Sequence, residues 1–349
     1  MTTAERRLEA PHRRRDAPPR IVEKGAVLAY RGAARVLGAL PAEPSRAVAG
    51  RLAQASYHLW PMKRRWSNRN FAHVLGLSPD DPEVRRTSLA AYRQYGRYLV
   101  DLMRLPSQRQ ADLVDLVEPL DVADIERIRA SSPAGIILAA AHIGHNEAVC
   151  ASVADLGLPI TVVADDTSFP ELFELLSRQR IGWGVNVVPW RNLRSIYQVL
   201  KRREFLALLT DWGYKADGVP VRLFGAWTAL PAGPAYLAAK TGSLIVPLSI
   251  AREANGRFRV IWLDPIAVES TDPATLQAAT QRVADALARA IARAPVQWYS
   301  FKPLWPAGDE EATDLERRAR LMLAGTPDPG PGRAGRPPAG DRGVVSEPG

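Results

Sequence analysis

The sequence predicts an α/β fold: a central, mostly parallel β-sheet flanked by helices, preceded by a helical N-terminal segment. Two observations carry this. From about residue 130 to 306, short β-rich apolar runs alternate with helical stretches, and the first hundred residues lack strand patterning altogether. Strands alternating with helices bury both faces of a parallel sheet under helices. In such sheets ligands bind in the loops beyond the carboxyl ends of the strands.

In chain order, residues 1–20 are rich in Arg and Pro with hardly any large apolar side chain, and a disordered basic tail is expected there. Residues 21–324 form the expected domain, helical over 21–110 and α/β over 130–306. IVEKGAVLAYRGAARVLGAL gathers Lys24, Arg31 and Arg35 on one helical face and sets Val27, Leu28, Leu37 and Leu40 largely away from it, as an amphipathic helix does. AVAGRLAQASYHLW, stopped by Pro61, and VRRTSLAAYRQYGRYLVDLMRL, stopped by Pro106, read as two more helices. GIILAAA, PITVVAD, VNVVP, FLALLT, SLIVPLSI and FRVIWL read as strands. Residues 325–349 are Pro/Gly-rich and predict a second flexible tail.

Composition narrows the functional classes. One cysteine, Cys150, excludes an internal disulfide framework and any cysteine-based zinc cluster. No charge-free apolar run approaches the ~18 residues that span a bilayer. No apolar segment directly follows the N-terminal arginines, so no secretory signal is expected and the chain is placed on the cytoplasmic side. The net charge is +9, yet residues 1–110 hold 21 Lys and Arg against 9 Asp and Glu, so the excess lies in the N-terminal third. Such a segment suits nucleic acid or anionic lipid headgroups, or is simply a soluble basic face.

The run Gly135–Ala141 ends at His142, and Ile143-Gly144-His145-Asn146-Glu147 lead into the helical AVCASVADLG. His142 therefore sits at a strand's carboxyl end and Glu147 in the next helix's first turn, with a glycine between them for a tight turn. An imidazole that accepts a proton near neutral pH, oriented by a carboxylate, is the chemistry of a general base. Taken alone, a His and a Glu five positions apart fit a helix cap or a surface pair equally well.

The wider sequence resembles the bacterial lipid A late acyltransferases and the related phosphatidylinositol mannoside acyltransferases. The resemblance is carried by GIILAAAHIGHNEA, FLALLTDW, VPVRLFGAWTALPAGPAYLAAKTGSLIVPLSI and QWYSFKPLW, reaches back to RRWSNRNFAHVLG, and covers roughly residues 25 to 306. It implies an O-acyltransferase that moves a fatty acyl group from acyl-CoA or acyl carrier protein to a glycolipid hydroxyl, without a cofactor or metal, at the cytoplasmic face of the plasma membrane. By the same resemblance His142 is the general base, Glu147 its orienting partner, and Asp211 an acid that approaches the same histidine. Arg178 matches an arginine that shapes the site, a role Arg180 could take instead; a solvated helix arginine fits Arg178 equally. Phe224, Gly225 and the turn Pro231-Ala232-Gly233-Pro234 match a segment that opens a helix beside the acyl donor. Free N–H groups there suit an oxyanion or a carrier phosphate.

His145-Asn146 departs from the family's usual Asn-Trp, which bears on the acceptor more than on the chemistry. His145 is read as a helix cap rather than a second base. Cys150, between Ala148, Val149 and Ala151, reads as a small buried residue rather than a nucleophile. Tryptophans including Trp60, Trp66, Trp190, Trp212, Trp298 and Trp305 read as core or edge aromatics, some of them suited to a membrane interface. Two other readings compete: a metal-dependent hydrolase using His142, His145, Glu147 and one of Asp165, Asp166 or Asp211, and a nucleic-acid-binding protein. The first lacks a standard zinc spacing and the second any recognised binding motif. For membrane docking the sequence offers the helix at 21–40 and the cluster Lys63, Arg64, Arg65 and Arg69 beside Trp60 and Trp66.

Overall fold

The structure, a computed structural model, describes residues 20–166, 169–211 and 213–331. The tail expected at 1–20 (all but its last residue), most of the tail expected at 325–349, and Trp212 lie outside the described residues.

The N-terminal part is built from α1 (Arg20–Ala39), α2 (Ala42–Leu59), α3 (Pro61–Leu75) and α4 (Pro82–Arg104). Three of these follow the predicted stretches, whereas α3 was not foreseen. Pro61 both ends α2 and begins α3, because the first turn of a helix has no use for the N–H that proline lacks. The α1 stripe also differs from the expected one. Glu23, Val27, Tyr30 and Ala34 face inward, while Leu28 is 72% and Leu40 48% exposed. Glu23 is drawn in by a polar partner: its Oε1 accepts the backbone N–H of Glu171 at 2.8 Å.

Helices α2 and α4 lie backbone to backbone. A Cβ at Gly96 would sit 2.4 Å from the carbonyl oxygen of Ala49, so only glycine fits that crossing. Deeper along α4, the buried Asp101 accepts from Arg46 of α2 at 2.6 Å and from Arg252 at 3.3 Å, which ties the helices to the sheet.

Short helices α5 (Gln110–Val114) and α6 (Val122–Ser131) lead into the α/β part, which runs β1 (Ile136–Ala140), α7 (Asn146–Asp155), β2 (Ile160–Ala164), α8 (Pro170–Gly182), β3 (Val185–Pro189), α9 (Leu193–Lys201), β4 (Phe205–Leu209), β5 (Val219–Leu223), β6 (Ala226–Leu230), α10 (Gly233–Thr241), β7 (Leu244–Arg252), β8 (Phe258–Trp262), α11 (Pro273–Arg293) and α12 (Asp309–Leu323). The main sheet has the order β3-β2-β4-β1-β7-β8, parallel except for the antiparallel edge strand β8. These are the six predicted strands. The central β1 is buried along its whole length, as expected of a strand covered on both faces.

The hairpin β5–β6 was not predicted. Its two-residue turn, Phe224-Gly225, has φ of 51° and 76°, the left-handed pair that matches the twist of a tight hairpin. The chain after α12 also turns back onto the body, where Asp328 accepts from Nε of the buried Arg318 at 2.7 Å and from its Nη2 at 2.6 Å. The C-terminal tail expected from residue 325 is therefore tied down at its start.

Candidate active site

The parallel register of β1 and β4 pairs Ile136 with Phe205 and Ala140 with Leu209. Carried two residues past the strand ends, the same register sets His142 opposite Asp211, and the two meet. The imidazole Nδ1 lies 2.6 Å from Asp211 Oδ1, and the backbone N–H of His142 lies 3.0 Å from both carboxylate oxygens. Trp298 Nε1–H donates to Oδ2 at 2.7 Å. Burial by itself would raise the Asp211 pKa, but the imidazole charge and these hydrogen bonds together hold it below the ordinary carboxylate value. In the neutral ring, an ionised Asp211 favours the tautomer that carries its proton on Nδ1, which leaves Nε2 as the acceptor. The His142 side chain keeps 24% of its surface exposed, so the ring reaches the protein surface.

The loop that carries His142 is clamped from the C-terminal side. Ile143 bridges Trp298, Tyr299 N–H donates to the His142 carbonyl at 2.8 Å, and Gly144 N–H donates to the Gln297 carbonyl at 3.3 Å. Gly144 has φ of 65°, and a Cβ there would lie 2.7 Å from Ile250 Cγ2. Buried Asn70 of α3 holds the next stretch, donating to the carbonyls of Ser300 at 3.0 Å and Lys302 at 2.7 Å.

Glu147 has a different partner from the one expected. Both its oxygens are engaged by Arg180 of α8, with Nε to Oε2 at 3.0 Å and Nη2 to Oε1 at 2.6 Å. Burial opposes ionisation of Glu147, yet the Arg180 charge and hydrogen bonds hold its pKa below the usual value. Hence the carboxylate hydrogen-bonded to the His142 ring is that of Asp211, and Glu147 anchors the start of α7 to α8. Of the two candidate arginines, Arg180 meets Glu147, whereas Arg178 is exposed and pairs with Glu174 at 3.1 Å.

His145 caps α7, its Nδ1 accepting the Ala148 N–H at 3.2 Å. Its ring is buried edge-on to Tyr98 and Phe258, and burial keeps its pKa below the ordinary histidine value. Cys150 is buried and its thiol is pushed up to about 12, chiefly by burial, which leaves it without thiolate character near neutral pH. Cys150, Glu147 and Arg180 line a narrow cavity of ≈100 Å³ with apolar side chains of β1, β2 and β4.

The remaining predicted residues divide. Pro231 and Pro234 pack around Thr210, next to Asp211, so α10, which starts at Gly233, begins beside the end of β4. Phe224 and Gly225 instead form the hairpin tip, where Phe224 borders a surface groove with Arg69 and His73 of α3. Among the described residues no three His, Cys, Asp or Glu side chains form a group able to hold a metal ion. His142, His145 and Glu147, the ligands of the alternative hydrolase reading, turn to three different partners. Sequence reasoning missed Trp298 as a partner of Asp211, and no local pattern around it signals that contact.

A family model described as bacterial lipid A biosynthesis acyltransferase matches residues 15–306. A phosphatidylinositol mannoside acyltransferase of Mycolicibacterium smegmatis is 32% identical over 305 residues, which cover 84% of this chain and 94% of that protein. A protein of the same description from Mycobacterium tuberculosis is 28% identical over 262 residues, or 72% of this chain and 80% of the relative. The chain is therefore an O-acyltransferase and belongs to the bacterial lipid A biosynthesis acyltransferase family.

Proposed function

We propose that this enzyme transfers a fatty acyl group from a thioester donor, acyl-CoA or acyl carrier protein, to a hydroxyl of a membrane glycolipid of the phosphatidylinositol mannoside type, with His142 as general base. The observation that carries the reading is the His142–Asp211 pair, a partly exposed imidazole whose Nδ1 is held by a buried carboxylate. The acceptor class rests on the description shared by the relatives, which the chain matches over most of its length.

In the proposed reaction Nε2 of His142 takes the proton of the acceptor hydroxyl as its oxygen attacks the thioester carbonyl carbon. Asp211 fixes the ring tautomer and stabilises the imidazolium that forms. The tetrahedral intermediate carries an oxyanion, for which N–H groups of the first turn of α10 are the proposed donors. Collapse breaks the carbon–sulfur bond, and the departing thiolate takes the proton back from His142. Ester and free thiol leave, and the protein is unchanged. In this account Glu147 and Arg180 are positioning residues.

The acceptor of such an enzyme lies in a bilayer, yet among the described residues no helix is long and apolar enough to cross one. Docking is assigned to the N-terminal helices. Leu59 is 83% and Trp60 52% exposed, next to Lys63, Arg64 and Arg65. Arg69 is partly committed elsewhere, donating to the carbonyls of Pro306 and Ala307. Peripheral attachment at the cytoplasmic face of the plasma membrane follows from this reading.

The deciding experiment is an acyl-transfer assay with labelled palmitoyl-CoA and palmitoyl carrier protein against mannosylated phosphatidylinositols and glucosamine lipids. Acylation of the mannosylated acceptors supports the proposal. Transfer confined to glucosamine lipids, or none to any lipid hydroxyl, contradicts it.

A further inference from the structure

Beside the Glu147–Arg180 pair, an open groove of ≈510 Å³ runs between α1, α8 and the turn that follows α4. Arg31 and Arg35, one turn apart on α1, line it together with Ser107 and Gln179, and among the described residues no carboxylate does. Neither arginine has an ion-pair partner among the described residues, whereas Arg46, Arg97, Arg178 and Arg180 nearby in the chain or the fold all have one. Tyr30 donates its phenol proton to Gln179 Oε1 at 3.5 Å, leaving the amide N–H groups of Gln179 to donate elsewhere. The wall of the groove is largely apolar, with Ala34, Pro106 and Leu175, and the polar side chains set into it, Arg31, Arg35, Ser107 and Gln179, bring donors and positive charge and, among the described residues, no negative charge. It lies near the Glu147–Arg180 pair, because Gln179, which lines it and accepts from Tyr30, directly precedes Arg180 in α8.

We propose that this groove binds a phosphate group of one of the two substrates, with Arg31 and Arg35 as its paired cationic ligands. Guanidinium forks match phosphate oxygens in geometry and stay charged at every working pH. An arginine pair on a helix face bordering a groove can grip a phosphate that a flat basic surface would only attract. The acyl-transfer reading supplies the two possible owners, the phosphodiester of the acceptor headgroup and the phosphates of the donor's carrier, but phosphate binding itself does not depend on that reading.

Calorimetry on the purified full chain tests this without any chemistry, using glycerophosphoinositol for the acceptor source and coenzyme A for the donor source. The wild type is expected to bind one probe, with inorganic phosphate competing. The double variant Arg31→Gln/Arg35→Gln should weaken that probe about tenfold or more, since a hydrogen bond to a charged group is worth about the free energy of a tenfold change. Arg86→Gln/Arg282→Gln, which removes two exposed charges outside the groove, should leave the affinity unchanged. Loss confined to glycerophosphoinositol assigns the phosphate to the acceptor, and loss confined to coenzyme A assigns it to the donor. Binding of neither probe, or equal affinity of wild type and the Arg31/Arg35 variant, overturns the proposal. So does a variant that loses only its binding to anionic vesicles, because its arginines then serve the bilayer surface and not the groove. Failure of acyl transfer with probe binding intact would count against the proposed function alone.

Discussion

Two carboxylates flank the histidine loop, and their partners assign them different tasks. Asp211 holds the His142 ring, while Glu147 is locked to Arg180 in a bidentate pair that is largely buried on both sides. Removing one partner of such a pair strands the other charge in the interior, which costs about 3–5 kcal/mol. Glu147→Ala should therefore lower unfolding stability by about that amount, and changing Arg180 to Leu in the same chain should recover part of the loss. Chemical denaturation of the three proteins checks this, and a single variant as stable as wild type would remove the structural role given to Glu147. The Asp211 partnership was anticipated only through the family resemblance carried by FLALLTDW, and the structure supplies its physical reason, since His142 and Asp211 each sit two residues beyond paired parallel strands. The Glu147–Arg180 pair was not, because the spacing of residues in sequence does not say how α8 docks on α7.

At the scale of elements, α7 starts on a histidine whose burial keeps it neutral. The His145 pKa is lowered first by burial, with Arg252 adding to the effect and Asp101 and Glu147 opposing it. The unfolded chain takes up a proton as pH falls through about 6.5, and the folded chain does so only at lower pH. Stability from this group is complete above about 6.5 and is lost as pH falls from there toward the folded value. Thermal unfolding between pH 7.5 and 5 should show such a decline, with a smaller slope in His145→Asn, whose side chain can still cap the helix. Part of the slope remains with His73, shifted the same way by burial and by Arg69. An unchanged slope would show that His145 is not the group responsible. Elsewhere, Gly96→Ala forces α2 and α4 apart and should cost about 1–3 kcal/mol, as overpacking does. The five parallel strands could be read because strands covered on both faces are mostly continuous apolar runs, and the antiparallel β8 because FRVIW is rich in β-branched and aromatic residues. The β5–β6 hairpin could not, since Pro220 and the Phe224-Gly225 turn interrupt the pattern, and α3 was hidden by a proline read only as a stop.

For the whole molecule, the asymmetry of charge seen in the sequence becomes an asymmetry of surface. Exposed Leu28, Leu52, Leu59 and Trp60 share the N-terminal helices with Lys63, Arg64 and Arg65. Basic residues near an anionic surface contribute about 1 kcal/mol each. Sedimentation with vesicles should therefore require anionic lipid, weaken as salt rises, and fall when Lys63, Arg64 and Arg65 are changed to Gln. Equal binding to neutral and anionic vesicles would contradict the electrostatic part of this docking.

If His142, held by Asp211, is the base that drives transfer, single-turnover acyl transfer by His142→Ala and Asp211→Asn, with the fold checked by near-ultraviolet circular dichroism, shows it most directly. General-base catalysis is worth ~10²–10⁴ in rate, so His142→Ala should lose at least that factor. Asp211→Asn should lose about 10²-fold or more, because the amide no longer enforces the Nδ1–H tautomer. Folded His142→Ala that transfers acyl groups within tenfold of wild type would show that His142 is not the base.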